Sequence, residues 1–145
     1  MRTIEHTIDI PAPTSEVWDV LAATDQYGVW NPFMPRLDGV LETGTRLAVT
    51  IRPGKRSMTF KPTVVALERG RLVRWQGRLI VRGIFDGEHE LRLSPTPDGG
   101  TRFTQTEKFT GLLIPLMRGT LHDTERGFAA MNQALYERTL ALRSR

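Results

Sequence analysis

The chain contains no cysteine, which rules out disulfides, thiolate metal sites and a cysteine nucleophile. Histidine is scarce: His6, His89 and His122 are far apart, and no pair has metal-ligand spacing, so no metal is expected. There is no P-loop and no Gly-x-Gly-x-x-Gly, and Ser15, Ser57, Ser94 and Ser144 lack the Gly-x-Ser-x-Gly setting of a hydrolase elbow. No cofactor is expected. Long apolar runs are missing too. Leu112-Leu113-Ile114 stops at Pro115, far short of the roughly 20 residues of a membrane span. The N-terminus, Met1-Arg2-Thr3-Ile4-Glu5-His6, lacks the apolar run of about 7–15 residues that a signal peptide needs. A cytoplasmic protein with no membrane insertion is expected.

What is present is ordinary for a folded domain. The 145 residues are 39% hydrophobic and carry a formal net charge of +4. A chain this long buries roughly 70% of its unfolded surface, enough for a real core, and one domain over 1–145 is expected. The basic residues Arg46, Arg52, Arg74, Arg78, Arg82, Arg92 and Arg102 are dispersed. Most alternate with apolar neighbours, which places them on the outer face of strands. No basic cluster interleaves with stacking aromatics, so nucleic acid is not an expected partner.

From Thr3 to Ile10 the pattern alternates, with Ile4, His6, Ile8 and Ile10 on one face of a half-buried strand. Pro11-Ala12-Pro13 ends it. Thr14 then stands as the expected N-cap of a short helix carrying Glu16, Val17, Trp18, Val20 and Leu21. A second short helix over 25–29 must stop before Pro32. Strands are expected over 36–42, 45–52, 57–68, 71–80, 84–94 and 101–109. The breaks between them are turn chemistry: Thr43-Gly44, Pro53-Gly54, Arg69-Gly70 and the loop 95–100. Short loops between consecutive strands imply an antiparallel meander. The tail differs: Leu113, Met117, Leu121, Thr124, Phe128, Met131, Leu135 and Leu142 form a helical stripe from about 116 to 142. Gly119 and Gly127 interrupt it, each costing about 1 kcal/mol against alanine.

This order is α+β: one strand, two short helices, six strands and a long helix. It resembles the helix-grip fold of the Bet v 1/START-like (SRPBCC) superfamily, in particular its bacterial polyketide cyclase/dehydrase-type proteins. The carriers are Ile8 to Pro13 leading to Val17-Trp18, Trp30-Asn31-Pro32-Phe33, Phe85 to His89, Thr106 to Gly111, and Gly127 to Asn132. The resemblance covers nearly the whole chain. It implies a seven-stranded curved sheet wrapped around the terminal helix, with a hydrophobic cavity between them. It does not imply one activity, since the superfamily holds binders, cyclases, lipid carriers and chaperone activators.

Strand parity supplies the expected wall. One face carries Val73, Trp75, Gly77 and Leu79. The next carries Phe85, Gly87, His89, Leu91 and Leu93, and the last Phe103, Gln105, Glu107 and Phe109. Leu47, Val49, Ile51, Met58 and Phe60 belong upstream. The helix contributes Met117, Leu121, Phe128 and Met131, and Trp30 and Phe33 stand where a mouth would close. For each of these, plain core packing is the competing reading. Gly87 leaves space where a packed core would place Val or Leu, and methionines suit adaptable apolar linings. The hairpin register sets His89 opposite Gln105 or Glu107, with His6 near if the first strand neighbours the last. A His–Glu pair in a dry cavity is an acid/base device, so His89 and Glu107 are the catalytic candidates, with Tyr27 or Arg36 as helpers. The same pair, self-satisfied, is structural. His122 lies off the stripe and is expected on the surface.

Three functions remain open: a binder of a small hydrophobic molecule of lipid, polyketide or aromatic type; a cofactor-free cyclase, aromatase or dehydratase; and a protein-interaction module. The edge strand over 36–42 is where a second copy would pair, which leaves a homodimer open.

Overall fold

The computed structural model describes residues 1–79 and 83–145; Arg82 and the side chain of Leu79, both assigned a sheet face above, lie outside the described residues. The strands are β1 (Arg2–Ile10), β2 (Arg36–Asp38), β3 (Ala48–Ile51), β4 (Met58–Phe60), β5 (Thr63–Glu68), β6 (Leu72–Leu79), β7 (Phe85–Pro95) and β8 (Thr101–Thr110). The helices are α1 (Thr14–Ala22), α2 (Tyr27–Trp30) and α3 (Arg118–Arg143), with short 3-10 turns at Thr24–Gln26 and Ile114–Leu116. The architecture is α+β, antiparallel sheet plus a long C-terminal helix. Among the described residues, no helix is long and apolar enough to cross a membrane.

Two corrections concern the sheet. Among the described residues, eight strands form two sheets, of order β1-β8-β7-β6-β5 and β2-β3-β4, where one sheet of seven strands was expected. The expected strand 57–68 splits at Lys61-Pro62, because proline has no N–H to give to a ladder. The two sheets still touch. Arg46 bridges Thr63, the Val64 N–H donates to Thr45 O at 2.9 Å, and the Leu47 N–H donates to Pro62 O at 2.8 Å. The expected strand 36–42 shrinks to three residues, because Gly39 takes a φ of 120°. A register shift between Val64 and Ala66 marks a bulge in β5, which bends the sheet.

The start of α1 also differs from expectation. Pro13 occupies the cap position and no side chain caps the helix; Thr14 is already helical. Glu16 has another partner: Arg143 Nε lies 3.2 Å from its carboxylate, while Arg143 Nη1 donates to Pro11 O at 2.8 Å. The end of α3 is thereby tied to the turn after β1.

α3 has 26 residues, about 39 Å at 1.5 Å per residue. It begins at Arg118, so Leu113 and Met117 precede it, and Leu142 is 37% exposed. The buried face is Leu121, Thr124, Phe128, Met131, Asn132, Leu135 and Thr139. Thr124 and Thr139 stay satisfied by donating to Thr120 O and Leu135 O, both at 2.8 Å. α3 runs chiefly along β1, with α1 packed beside it.

The outer face of the large sheet carries the arginines as ion pairs. Arg74 meets Glu90 at 2.7 Å and Arg92 meets Glu90 at 2.8 Å. Arg102 meets Asp9 at 2.9 Å. Burial opposes the charge on Glu90, but Arg92 and Arg74 outweigh it and hold its carboxyl below the ordinary range.

Candidate functional site

β7 and β8 are joined by the loop 95–100 and pair with His89 directly across from Glu107. Alternation puts both on the face toward α3. His89 is 1% exposed, stacked on Trp75 (5.2 Å between centroids, 24° between planes) and tilted against Phe128 at 5.1 Å. Its Nδ1 lies 3.0 Å from Glu107 Oε1 and its Nε2 lies 2.9 Å from Gln105 Oε1. Gln105 Nε2 donates in turn to Asn132 Oδ1 at 3.0 Å. The imidazole is held from both ends, and the chain of bonds runs from sheet to helix.

Asn132 is the member that the sequence reading missed. It sits four residues after Phe128 on the buried face of α3, and a lone amide there was the available signal. His6 faces Gln105 in the register, yet its ring points to Glu125, at 4.0 Å, and not to this network. His122 is exposed. The two suggested helpers are elsewhere. Tyr27 is fully buried and donates to Leu21 O at 2.7 Å, and burial pushes its phenol pKa up. Arg36 pairs with Asp38 on the surface at 2.8 Å.

Glu107 also faces an apolar cavity of about 90 Å³ that opens to solvent. Its walls are Ile51, Met58, Phe60, Gly77, Phe85, Gly87, Phe109, Met117, Leu121 and Thr124, with Arg78 and Thr120 also lining it. Phe85 and Phe109 lie nearly parallel, 5.3 Å apart and 23° between planes. Among the described residues, Glu107 Oε1 bonds His89 and Oε2 has no hydrogen-bond partner.

Of the fifteen residues expected to meet a ligand, the cavity brings together Phe60, Phe85, Gly87, Glu107, Phe109, Met117 and Leu121. The other eight do not line it. Trp75, Phe103, Gln105, Phe128 and Met131 are at most 1% exposed and fill the interior, with His89 among them. Phe33 closes no mouth: it packs edge-on against Phe128 at 5.4 Å. A Cβ at position 127 would sit 2.3 Å from the Phe33 ring, which explains the glycine inside α3. Trp30 lines a different cleft, of about 200 Å³, between α1 and the end of α3. Arg78, Thr120 and Asn132 were not foreseen.

Gly87 has a more specific reason than spare room. A Cβ there would lie 2.6 Å from Glu107 Oε2, so the glycine lets the carboxylate lie flat against the sheet. Its register partner is Gly77, whose Cβ would lie 3.1 Å from Phe60. Two glycines side by side form a bare strip of backbone, covered by Phe60 on one strand and Glu107 on the other.

A family model described as polyketide cyclase / dehydrase and lipid transport matches residues 1–141. The chain belongs to that family. Solved structures similar to this member share its fold at low identity. The Zhui aromatase/cyclase from Streptomyces sp. R1128 aligns with TM-score 0.76 and 21% identity, over 95% of this chain and 93% of that one. Protein MLL2253 from Mesorhizobium loti aligns with TM-score 0.76 and 17% identity, over 97% of each chain. A START superfamily protein from Mycobacterium smegmatis aligns with TM-score 0.72 and 15% identity, over 97% of this chain and 98% of that one. No curated protein matches the chain. The helix-grip expectation is thereby met, with one strand more than foreseen.

Proposed function

We propose that this chain binds a small hydrophobic molecule in the cavity between β4, β6, β7, β8 and the start of α3. The observation that supports this most is the cavity itself: three phenylalanines, two methionines and a leucine surround a space that opens to water. Ligand sites are mostly apolar with a few placed polar groups, and Glu107 is such a group here. Ligand pockets usually run to about 300–1,000 Å³, so a cavity of about 90 Å³ takes a few atoms of ligand or one end of a longer molecule.

A second reading rests on a separate observation. Glu107 is reached from the cavity on one side and from His89 on the other. A carboxylate so placed can take a proton from a ligand, with His89 stabilising its position, as a cofactor-free cyclase or dehydratase requires. The family's description names both cyclase/dehydrase and lipid transport, so it is compatible with either reading.

Native mass spectrometry of freshly purified protein tests binding. A reproducible small-molecule adduct that leaves on mild denaturation is expected. An empty protein whose melting temperature no single-ring arene raises would contradict it. We read the chain as one cytoplasmic domain over 1–145 that does not bind nucleic acid; the paired outer-face arginines favour this. The β2 edge, three residues long, offers a second copy little to pair with, and light scattering decides whether a homodimer forms.

A further inference from the structure

The cavity's polar lining is Glu107, Thr120, Thr124 and Arg78. Thr124 Oγ1 is committed to Thr120 O at 2.8 Å, and Arg78 is exposed to solvent. Glu107 Oε1 is committed to His89 at 3.0 Å. Glu107 Oε2 lies against the Gly87 backbone and, among the described residues, accepts no hydrogen bond. An ionised carboxylate oxygen only accepts. The cavity opens to solvent, so a ligand donor there takes the place of water as the hydrogen-bond partner of this carboxylate oxygen.

The walls around that atom are aromatic. Phe85 and Phe109 stack on each other, 5.3 Å between centroids and 23° between planes, and Phe60 lies over Gly77. Such walls favour an aromatic ring, which adds offset or edge-to-face contacts to the area it buries. An apolar cavity of about 150 Å³ accepts benzene. This one is smaller, about 90 Å³, but open, so a ring enters with its far edge at the mouth beside Met58.

We infer that the cavity selects an aromatic ring whose buried end donates a hydrogen bond, with Glu107 Oε2 as the acceptor and Gly87 as the residue that positions it. This rests on the binding reading above and narrows it to phenol-like or amine-bearing arenes. A carboxylate or a bare hydrocarbon at the buried end is disfavoured. Position 87 must then be glycine for a reason of recognition: a methyl group there displaces the carboxylate from both His89 and the ligand.

Phenol and toluene are the probes, since they differ by a hydroxyl against a methyl. Amide chemical shifts of the labelled wild-type protein are followed during titration with each. Phenol is expected to bind about tenfold more tightly than toluene, although toluene is the more hydrophobic. The shifts should centre on Gly87, Phe109 and Leu121. Glu107→Leu should abolish or reverse the preference, and Gly87→Ala should narrow it by weakening phenol more than toluene. If toluene binds as tightly as phenol to the wild type, the donor inference falls while the cavity stands. If neither perturbs these residues, both the inference and the binding reading fall. The wild-type comparison decides the matter even if Glu107→Leu does not fold.

Discussion

The space between α3 and the large sheet is filled toward one end and open toward the other, and the change takes one step of the register. On β6 and β7, Trp75 faces His89; two residues along each strand, Gly77 faces Gly87. The first pair is stacked and buried against Phe128. The second is bare backbone under Phe60 and Glu107. Both pairs lie on the same inner face of the same ladder. Small side chains at this level of the sheet therefore help to open the cavity.

The largest test of this contrast is Phe128→Ala in the filled part. Phe128 is 0% exposed, and removing a buried ring costs about 3–5 kcal/mol. Chemical denaturation measures it; a loss below about 1 kcal/mol would mean that this part is not tightly packed. Gly127→Ala comes next. Its Cβ would meet the Phe33 ring at 2.3 Å, and that ring is itself pinned on Phe128. Despite alanine's better helix propensity, overpacking should destabilise by about 1–3 kcal/mol, and a stabilised variant would show Phe33 to be free to move.

In the open part the effects shrink. Phe85 lines the cavity and is only half-buried. Phe85→Leu should cost less than about 1.5 kcal/mol while weakening arene binding severalfold, and an effect as large as that of Phe128→Ala would erase the contrast. The smallest effect belongs to the outer face. Arg74 and Glu90 are register partners on β6 and β7. The Glu90 pKa lies below its ordinary 4.5 despite burial, because Arg92 and Arg74 hold the charged form. Its contribution is present above that ordinary value and is lost as pH falls through the lowered one. It should amount to less than about 1 kcal/mol. A Glu90→Gln variant should show a flatter loss of stability with acid than wild type, and identical curves would remove the pair from the account.

Much of the fold could be read from residue spacing. Alternation from Thr3 to Ile10 marks β1, the loop 95–100 fixes the β7–β8 register, and the stripe from Leu121 to Leu135 marks the buried face of α3. The failures have local causes. Thr14 looked like a cap, but Pro13 takes that position and the helix has no side-chain cap. Pro62 divides a run that hydrophobicity alone joins. The site was half visible. Parity correctly shows that Trp75, Gly77, His89 and Gly87 share a face, and the register puts His89 against Glu107. Parity does not say at which level a wall becomes a void. That depends on neighbours far apart in sequence, such as Phe60 over Gly77 and Phe33 against Gly127. Asn132 was missed for a related reason: an amide in an apolar stripe reads as an interruption until Gln105 is seen to meet it.

The central claim is that the void lies at the start of α3 and nowhere along the His89–Phe128 contact. A crystal of this protein pressurised with xenon tests it most directly. The account predicts density among Phe60, Phe85, Phe109 and Leu121, with none between His89 and Phe128. Xenon beside His89 and Phe128, or no ordered xenon in the interior, would contradict it.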